Sequence, residues 1–134
     1  MTRGIRNNNP LNIRHGRSQW VGMAEVQKDR LFVQFSERVY GYRAAFVLIR
    51  NYIRRYAANS IAKIISRWAP SSDGNNTQAY IDYVSRSTGI PAGEVLRYED
   101  KDRMVEIVRS MAQMESGIVE RREMVEAGYE MAGG

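Results

Sequence analysis

Met114-Glu115-Ser116-Gly117 ends an apolar helical pattern near one end of this 134-residue chain. Glu115 follows Met111 by four residues and Val108 by seven, so helical periodicity places its carboxylate on the apolar stripe. Burial disfavours the charged form of a carboxyl group and raises its pKa toward neutral pH. Glycosidic cleavage requires such a protonated acid, because the leaving oxygen must receive a proton. Glu115 is therefore a candidate general acid; the alternative is an acid that reaches solvent or pairs with an arginine.

Length and composition indicate one domain, residues 1–134, with a modest core. The chain has no cysteine, so neither a disulfide nor a thiolate metal site is expected. His15 is the single histidine, and no set of ligands has the spacing of a zinc site. We therefore expect no metal and no cofactor.

The sequence also bears on location. No apolar run approaches the roughly 20 residues of a membrane span, and the polar start lacks the apolar segment of a signal peptide. We therefore expect no membrane span and no export by the general pathway. A target outside the cell would then be reached by another route, such as lysis, a partner channel or incorporation into a particle.

Charge is unevenly distributed along the chain. Residues 1–67 contain 13 Lys and Arg against 3 Asp and Glu, whereas residues 68–134 contain 7 against 12. The two halves thus carry net charges of +10 and −5. This asymmetry is typical of contact with a polyanion, such as nucleic acid, a membrane surface or wall polymers. The alternative is internal pairing together with solvated helix faces.

Apolar residues recur at steps of three and four in several segments, which predicts a mainly α-helical fold of about five to six helices. The predicted helices span about residues 37–58, 60–68, 77–88, 100–117 and 119–131, with a short Pro91-led turn of helix before the fourth. Strand-forming residues in Trp20-Val21-Gly22-Met23 and Leu31-Phe32-Val33-Gln34-Phe35 predict a small β-hairpin with residues 25–30 as its turn.

Two resemblances add to this pattern. Ala112-Gln113-Met114-Glu115-Ser116-Gly117 is similar to the segment around the catalytic Glu of lysozyme-like lytic transglycosylases and glucosaminidases. Asn7-Asn8-Asn9-Pro10-Leu11-Asn12-Ile13, with Trp20-Val21-Gly22 downstream, resembles the Asn-rich stretch that follows this Glu in the glucosaminidases. The resemblance implies a single α+β lysozyme-like domain that cleaves peptidoglycan with one Glu as general acid and base.

A longer run also resembles a family of small phage and prophage proteins that are usually labelled virion structural proteins. It includes Gly4 to Pro10, Gly41-Tyr42-Arg43-Ala44, Ile64 to Pro70 and Asn75-Asn76-Thr77. This resemblance covers most of the chain, through about residue 117. It implies phage virion or tail components as partners and leaves the chemistry open.

The catalytic segment and the Asn-rich segment stand here in reversed order. Together the two resemblances imply a circular permutation in which the termini of the domain meet around Glu115. In that site, Asn8, Asn9 and Asn12 would bind the N-acetyl and hydroxyl groups of the glycan, and Trp20 and Tyr80 would offer faces to its sugar rings. The alternatives are that asparagine runs make turns and that aromatic residues fill the core.

Other charged residues are secondary candidates. Glu37 and Asp73, and also Glu25, are possible second acids, although lytic transglycosylases act with one Glu and we favour that chemistry. Asp73 also departs from the phage-like pattern, which more often has Glu directly before Asn-Asn-Thr. Arg43 is a possible contact for anionic wall groups, and we favour a structural role for Arg67.

Three functions compete at this point. The first is a peptidoglycan-cleaving glycosidase, and the second is a catalytically inactive virion structural or cell-wall-binding protein of lysozyme-like fold. The third is a nucleic-acid binder that uses the helices at 60–68 and 77–88. Their connecting loop is longer than that of a helix-turn-helix and the second helix has few cations, so nucleic acid is the weakest of the three.

Overall fold

The computed structural model describes all residues from Met1 to Gly134, and six α-helices form its regular structure. The helices are α1 Arg3–Arg6, α2 Arg38–Tyr56, α3 Ile61–Trp68, α4 Thr77–Thr88, α5 Lys101–Ser116 and α6 Arg122–Met131. A 3-10 turn at Ser71–Asp73 lies between α3 and α4. The predicted mainly α-helical fold is therefore confirmed. No helix combines the length and the apolar composition needed to cross a membrane.

Capping residues set several helix boundaries where the sequence predicts them. The Ser60 hydroxyl accepts a hydrogen bond from the Lys63 amide at the start of α3, and the Asn76 side chain accepts one from the Ala79 amide at the start of α4. Helix α5 ends at Gly117, which adopts the left-handed conformation that glycine favours. These caps satisfy backbone groups at the helix ends and so fix where the helices begin and end.

The core forms around α2, the longest helix. Its buried side chains include Tyr42, Phe46 and Ile49, all fully inaccessible to solvent. Helix α6 packs closely on α2 at Gly128, where an added Cβ would lie 2.5 Å from the Cβ of Tyr42. Helix α5 contributes a buried stripe that runs along the helix toward Glu115, consisting of Met104, Ile107, Val108 and Met111.

The predicted β-hairpin does not form regular strands. Only two isolated antiparallel bridges are present, Arg14 with Phe32 and Met23 with Phe35. Two backbone hydrogen bonds join the segments, from the Ala24 amide to the Gln34 carbonyl and from the Ser36 amide to the Gly22 carbonyl, and two glutamine side chains occupy further positions of the ladder. Gln27 donates to the carbonyl of Gln34 at 2.8 Å and accepts from the Gln34 amide at 2.8 Å, while Gln34 accepts from the Lys28 amide at 2.5 Å.

Three local predictions also differ from the structure. Pro91 begins a hydrogen-bonded turn and not a helix, since Glu94 donates to its carbonyl and the helical pattern stops there. The first 17 residues, for which the sequence predicts no helix, contain α1. The last helix begins at Arg122 and not near residue 119, because Arg121 is extended and the Glu120 side chain is bound to Arg38 at the start of α2.

Candidate functional site

Glu115 lies in the last turn of α5, where the buried stripe of that helix reaches a cleft of about 510 Å³. The residue is half-buried, and its carboxylate forms part of the cleft wall. A volume of this size falls within the range of ordinary ligand sites, roughly 300–1,000 Å³. The apolar stripe of α5, on which the sequence places this acid, thus ends at a cavity.

The amino-terminal segment meets the end of α5. The Thr2 hydroxyl donates to the Ser116 carbonyl at 2.7 Å, and the Ser116 hydroxyl donates to the Pro10 carbonyl at 2.7 Å. Gly4 allows this approach, since an added Cβ would lie 2.6 Å from the Cβ of Ser116. The residues that the sequence predicts to be neighbours, Glu115 and the Asn-rich segment, are therefore in contact.

Two polar side chains hold the carboxylate of Glu115. The Tyr80 hydroxyl donates to Oε2 at 3.0 Å, and the side-chain amide of Asn12 donates to Oε1 at 3.3 Å and to the Glu115 carbonyl at 3.1 Å. Burial raises the pKa of Glu115, and its contacts with Asn12, Tyr80 and Trp68 act in the opposite direction without cancelling the rise. The result is an acid that keeps its proton at higher pH than a solvated glutamate does.

Aromatic and polar side chains surround this acid. Trp20, Phe32, Tyr52 and Trp68 line the cleft, and Tyr52 and Trp68 meet edge to face with ring centroids 6.3 Å apart. Aromatic faces of this kind can bind the apolar faces of sugar rings. Arg14 is the cation that lines the cleft, and it opposes the rise in the pKa of Glu115.

Asn8 and Asn9, two of the predicted glycan contacts, make hydrogen bonds within the chain. Asn9 is fully buried, donates to the carbonyls of Ile13 and Val33 at 2.9 and 2.8 Å, and accepts from the Ile13 amide. Asn8 adopts a left-handed conformation with φ of 51° and donates to the Phe35 carbonyl. Neither lines the cleft, whereas Asn12 does. The alternative that asparagine runs make turns explains the first two residues.

The two aromatic residues predicted to bind sugar rings, Trp20 and Tyr80, lie in different surroundings. Trp20 is half-buried and lines the cleft, as a sugar platform must. Tyr80 is only 7% exposed and its ring is packed in the core, so only its hydroxyl reaches the site, through Glu115. Burial, followed by the nearby charge of Glu115, raises the pKa of Tyr80 well above its usual value, so its hydroxyl stays a donor. Tyr80 therefore positions the acid and presents no face to a ligand.

Among the candidate second acids, only Asp73 lies at the cleft. It is exposed in the 3-10 turn and lines the cleft together with Asn75 and Glu115. Glu37 precedes α2 and Glu25 lies in a loop, and neither lines the cleft. Asp73 and Glu115 are thus the two carboxylates that face this cavity. No group of three or more potential metal-ligating side chains is present.

The arginine candidates lie elsewhere. Arg43 is half-buried on α2, lines no cavity wall at Glu115 and makes no ion pair. Arg67 stacks over the ring of Tyr56 at 3.6 Å and lies 5.6 Å from that of Tyr52, so its role is the structural one favoured from the sequence. Stacking, and not a bond to a carboxylate, supplies that role.

Sequence reasoning missed most of the lining residues, among them Arg14, Phe32, Tyr52, Trp68 and Asn75. Trp68 is the last residue of α3, and its helical spacing predicts burial instead of a place at a cavity. Tyr52 falls outside the buried stripe of α2, which contains Tyr42, Phe46 and Ile49. A large aromatic off the apolar stripe was the available indication that this face of α2 meets something other than solvent.

No protein-family model matches the chain. Protein P5 of Pseudoalteromonas phage PM2 is 41% identical over 118 residues, which cover 86% of this chain and 71% of that protein. This chain belongs to the family of phage protein P5. The resemblance to phage proteins seen in the sequence is confirmed by this relative. The name of protein P5 specifies no chemistry, so an activity must be argued from the site around Glu115.

Proposed function

We propose that this member of the P5 family is a glycosidase of the lytic transglycosylase or glucosaminidase/muramidase type that cleaves peptidoglycan. The observation that carries the proposal is Glu115, a half-buried acid with a raised pKa at the wall of a cleft lined by aromatic rings. Such an acid can hold a proton near neutral pH and deliver it to a glycosidic oxygen. The tryptophans of the cleft, Trp20 and Trp68, supply faces on which pyranose rings can rest.

The proposed reaction uses one glutamic acid. Glu115 donates its proton to the bridging oxygen, the bond between that oxygen and the anomeric carbon breaks, and the carbon becomes electron-poor. The Glu115 carboxylate then accepts a proton from a water or from a hydroxyl of the same sugar, whose oxygen bonds to the anomeric carbon. Asn12 and Tyr80 hold the carboxylate throughout. Asp73 faces the same cleft and is the candidate second acid if water attacks.

The same contacts support a circularly permuted lysozyme-like domain. In the glucosaminidases that the sequence resembles, the catalytic Glu comes before the Asn-rich segment. In this chain it comes after, and the hydrogen bonds of Thr2 and Ser116 join the two segments in space without a peptide link. Contacts of this kind let the order of segments change while the site is kept.

Membership in the P5 family supports a place in the phage life cycle. We infer that the protein acts at the bacterial cell wall, from the virion or from the host cytoplasm before lysis, and that its macromolecular partners are other phage components. Peptidoglycan glycan strands would be its substrate. Action at the cell wall and the choice of substrate both depend on the activity of Glu115 or on glycan binding by its cleft.

The second candidate is a virion structural or wall-binding protein without turnover. Its specific support is that both carboxylate oxygens of Glu115 accept a hydrogen bond within the chain, from Tyr80 and Asn12. An acid held in this way can also serve as a structural link between α4 and the amino-terminal segment. Under this function the aromatic cleft binds glycan, and Glu115 never releases its proton to a substrate.

Incubation of purified protein with peptidoglycan sacculi separates the two functions. The wild-type chain should release muropeptides, and Glu115→Gln should lower the rate by at least about a hundredfold, because the amide cannot deliver the proton. Mass spectrometry of the products identifies the reaction, since anhydro-sugar ends are the mark of transglycosylation. Glu123→Gln is the matched control: it makes the same change at an exposed acid without an ion pair and should keep full activity.

The outcomes are distinct. Sedimentation with sacculi without released products would favour the wall-binding protein. Full activity in folded Glu115→Gln would remove Glu115 from the mechanism. Salt-sensitive binding to DNA, without affinity for sacculi, would favour the nucleic-acid binder considered from the sequence.

A further inference from the structure

A basic depression lies beside the Glu115 cleft, on the surface formed by α1 and the loop before α2. Its volume is about 840 Å³, and four cations line it: Arg3, Arg6, Lys28 and Arg30. Asp29 is the carboxylate in its wall, so four positive charges and one negative charge leave a net charge of +3. No role at the Glu115 site accounts for these cations.

Most of this charge is unneutralised within the chain. Asp29 is occupied by Arg3, which donates to its two carboxylate oxygens at 2.6 and 2.7 Å, and by the side-chain amide of Asn7. These contacts hold the pKa of Asp29 far below its usual range, with the Arg3 bond as the largest cause. Arg6, Lys28 and Arg30 are exposed, and no carboxylate lies within ion-pair distance of them.

The acidic half of the chain does not cover the depression. Its carboxylates pair mainly with cations of the same half, as in the bridges of Arg122 with Asp102 and Glu106. The ion pairs that join the halves are Arg38 with Glu120 and Arg54 with Glu99, and neither involves the depression. Internal pairing, the alternative considered for the charge asymmetry, therefore leaves this surface positive.

Phe32 lines the Glu115 cleft and contacts Arg3 of the depression, so one side chain lies between the two sites. The guanidinium of Arg3 lies 4.7 Å from the centroid of the Phe32 ring, and that of Arg14, which lines the cleft, lies 5.4 Å from it. Arg3 therefore lies within one side chain of the cleft, close enough to meet groups attached to a polymer whose sugars occupy the cleft.

We propose that the basic depression binds the carboxylates of the acidic peptides attached to a peptidoglycan strand while the sugars of that strand occupy the Glu115 cleft. The proposal rests on the proposed function for its ligand. Exposed guanidinium and ammonium groups attract carboxylates across a short distance in water, and salt screens that attraction. The depression thus selects glycan that still carries its peptides over bare glycan.

The lining residues favour acidic peptides over nucleic acid. Leu31 is the hydrophobic residue in the wall, and no aromatic ring of the depression could stack on a base. The cations come from α1, which has four residues, and from a loop. No helix here is long enough to enter a DNA groove.

Binding to two immobilised forms of peptidoglycan tests the proposal. One form is intact sacculi, and the other is glycan strands freed of their peptides by an amidase and immobilised in the same way, with Glu115→Gln as the background so that the glycan is not digested. Intact sacculi should bind about three- to tenfold more tightly, a difference typical of a few exposed charge contacts. R6Q/K28Q/R30Q should abolish this difference and leave binding to stripped glycan unchanged.

The control variant R55Q/R86Q/R97Q removes the same charge at exposed sites that make no ion pair, and it should keep the preference for intact sacculi. Equal binding of the Glu115→Gln chain to both forms, or to neither, would overturn the inference. Binding of duplex DNA that is lost in R6Q/K28Q/R30Q, without a preference between sacculi, would overturn it in favour of nucleic acid.

Failure of the proposed function can be distinguished from failure of this inference. If the wild-type chain releases no muropeptides but binds intact sacculi in preference through Arg6, Lys28 and Arg30, the depression has its assigned ligand and the protein is a wall binder. If glycosidic bonds are cut at the same rate in both forms and binding does not differ, the glycosidase stands and this inference falls.

Discussion

The hydroxyl group of Tyr80 lowers the pKa of Glu115. The Tyr80 hydroxyl donates to Glu115 and stabilises its charged form, so Tyr80→Phe should raise the pKa of Glu115 further. Carbon-13 NMR titration of the Glu115 carboxyl measures this directly. If the chain is a glycosidase, the alkaline limb of its pH-rate profile should move in the same direction, because the acid must be protonated to act.

Tyr83→Phe is the matched control for this change. Tyr83 lies on the same helix, is half-buried and makes no hydrogen bond through its hydroxyl. It should leave the titration of Glu115 unaltered. A titration midpoint that stays in place or falls in Tyr80→Phe would contradict the role assigned to Tyr80.

For single residues, the sequence predicts the position of Glu115 better than the roles of the side chains around it. Helical spacing alone places Glu115 on the buried stripe, because the period of a helix is regular. The roles of Asn9 and Tyr80 depend on contacts across 24 and 35 residues, respectively, and no local pattern distinguishes a buried amide from one that faces a cleft. The sequence could therefore identify the acid of the candidate site, but not all of the residues that surround this acid.

Among the elements, the short helix α1 depends most on close packing. Gly4→Ala would place a Cβ 2.6 Å from that of Ser116 and 2.9 Å from the Asn9 carbonyl. We expect a loss of about 1–3 kcal/mol in the free energy of unfolding, although alanine is the better helix former. Urea unfolding measures the loss. The control is Gly16→Ala, which meets nothing within 4 Å and should be nearly neutral; equal stability of the two variants would refute the close approach.

The start of α2 is held by the buried carboxylate of Glu120. Arg38 donates to it at 2.6 and 3.2 Å and the Tyr42 hydroxyl at 2.8 Å. Burial alone would raise the pKa of Glu120, but these donors lower it overall. Glu120→Gln should therefore cost about 2–3 kcal/mol at pH 7, somewhat less than for a fully buried pair because Arg38 remains one-third exposed.

The pH dependence of this effect has a definite sign. Since the pKa of Glu120 is lower in the folded chain, its stabilisation is complete above the unfolded value of about 4.3 and is lost as the pH falls through the folded value. The difference between wild type and Glu120→Gln in urea unfolding should accordingly shrink below about pH 4. Glu123→Gln should change stability by less than about 0.5 kcal/mol at any pH. A constant difference at all pH values would contradict the ion pair.

The sequence predicts the helices better than the hairpin, because apolar residues recur in the helices with a regular period. Helix α2 falls within two residues of its predicted bounds at each end, and the caps of α3 and α4 are found at Ser60 and Asn76. The predicted hairpin fails because Gln27 and Gln34 bind backbone groups through their side chains. Such side-chain bonds leave no period in a sequence, so they could not be anticipated.

For the whole molecule, the decisive feature is that segments from opposite ends of the chain build one site without a peptide bond between them. Thr2, Pro10 and Asn12 contact the end of α5 through hydrogen bonds alone. The order of the segments should therefore matter less than their contacts. A change of chain order that keeps these contacts tests whether the fold tolerates permutation.

A circular permutant provides that test. New termini at Gly93, an exposed glycine between α4 and α5, and a flexible linker from Gly134 to Met1 would place Glu115 before the Asn-rich segment, the order found in the glucosaminidases. A linker of about 12 residues reaches roughly 40 Å, which exceeds the diameter expected for 134 residues, about 36 Å. We expect the permutant to unfold cooperatively and to keep the raised pKa of Glu115 in NMR titration. A folded permutant in which Glu115 titrates like a solvated glutamate would mean that the site depends on the order of its segments, and the proposed evolutionary permutation would lose its physical basis.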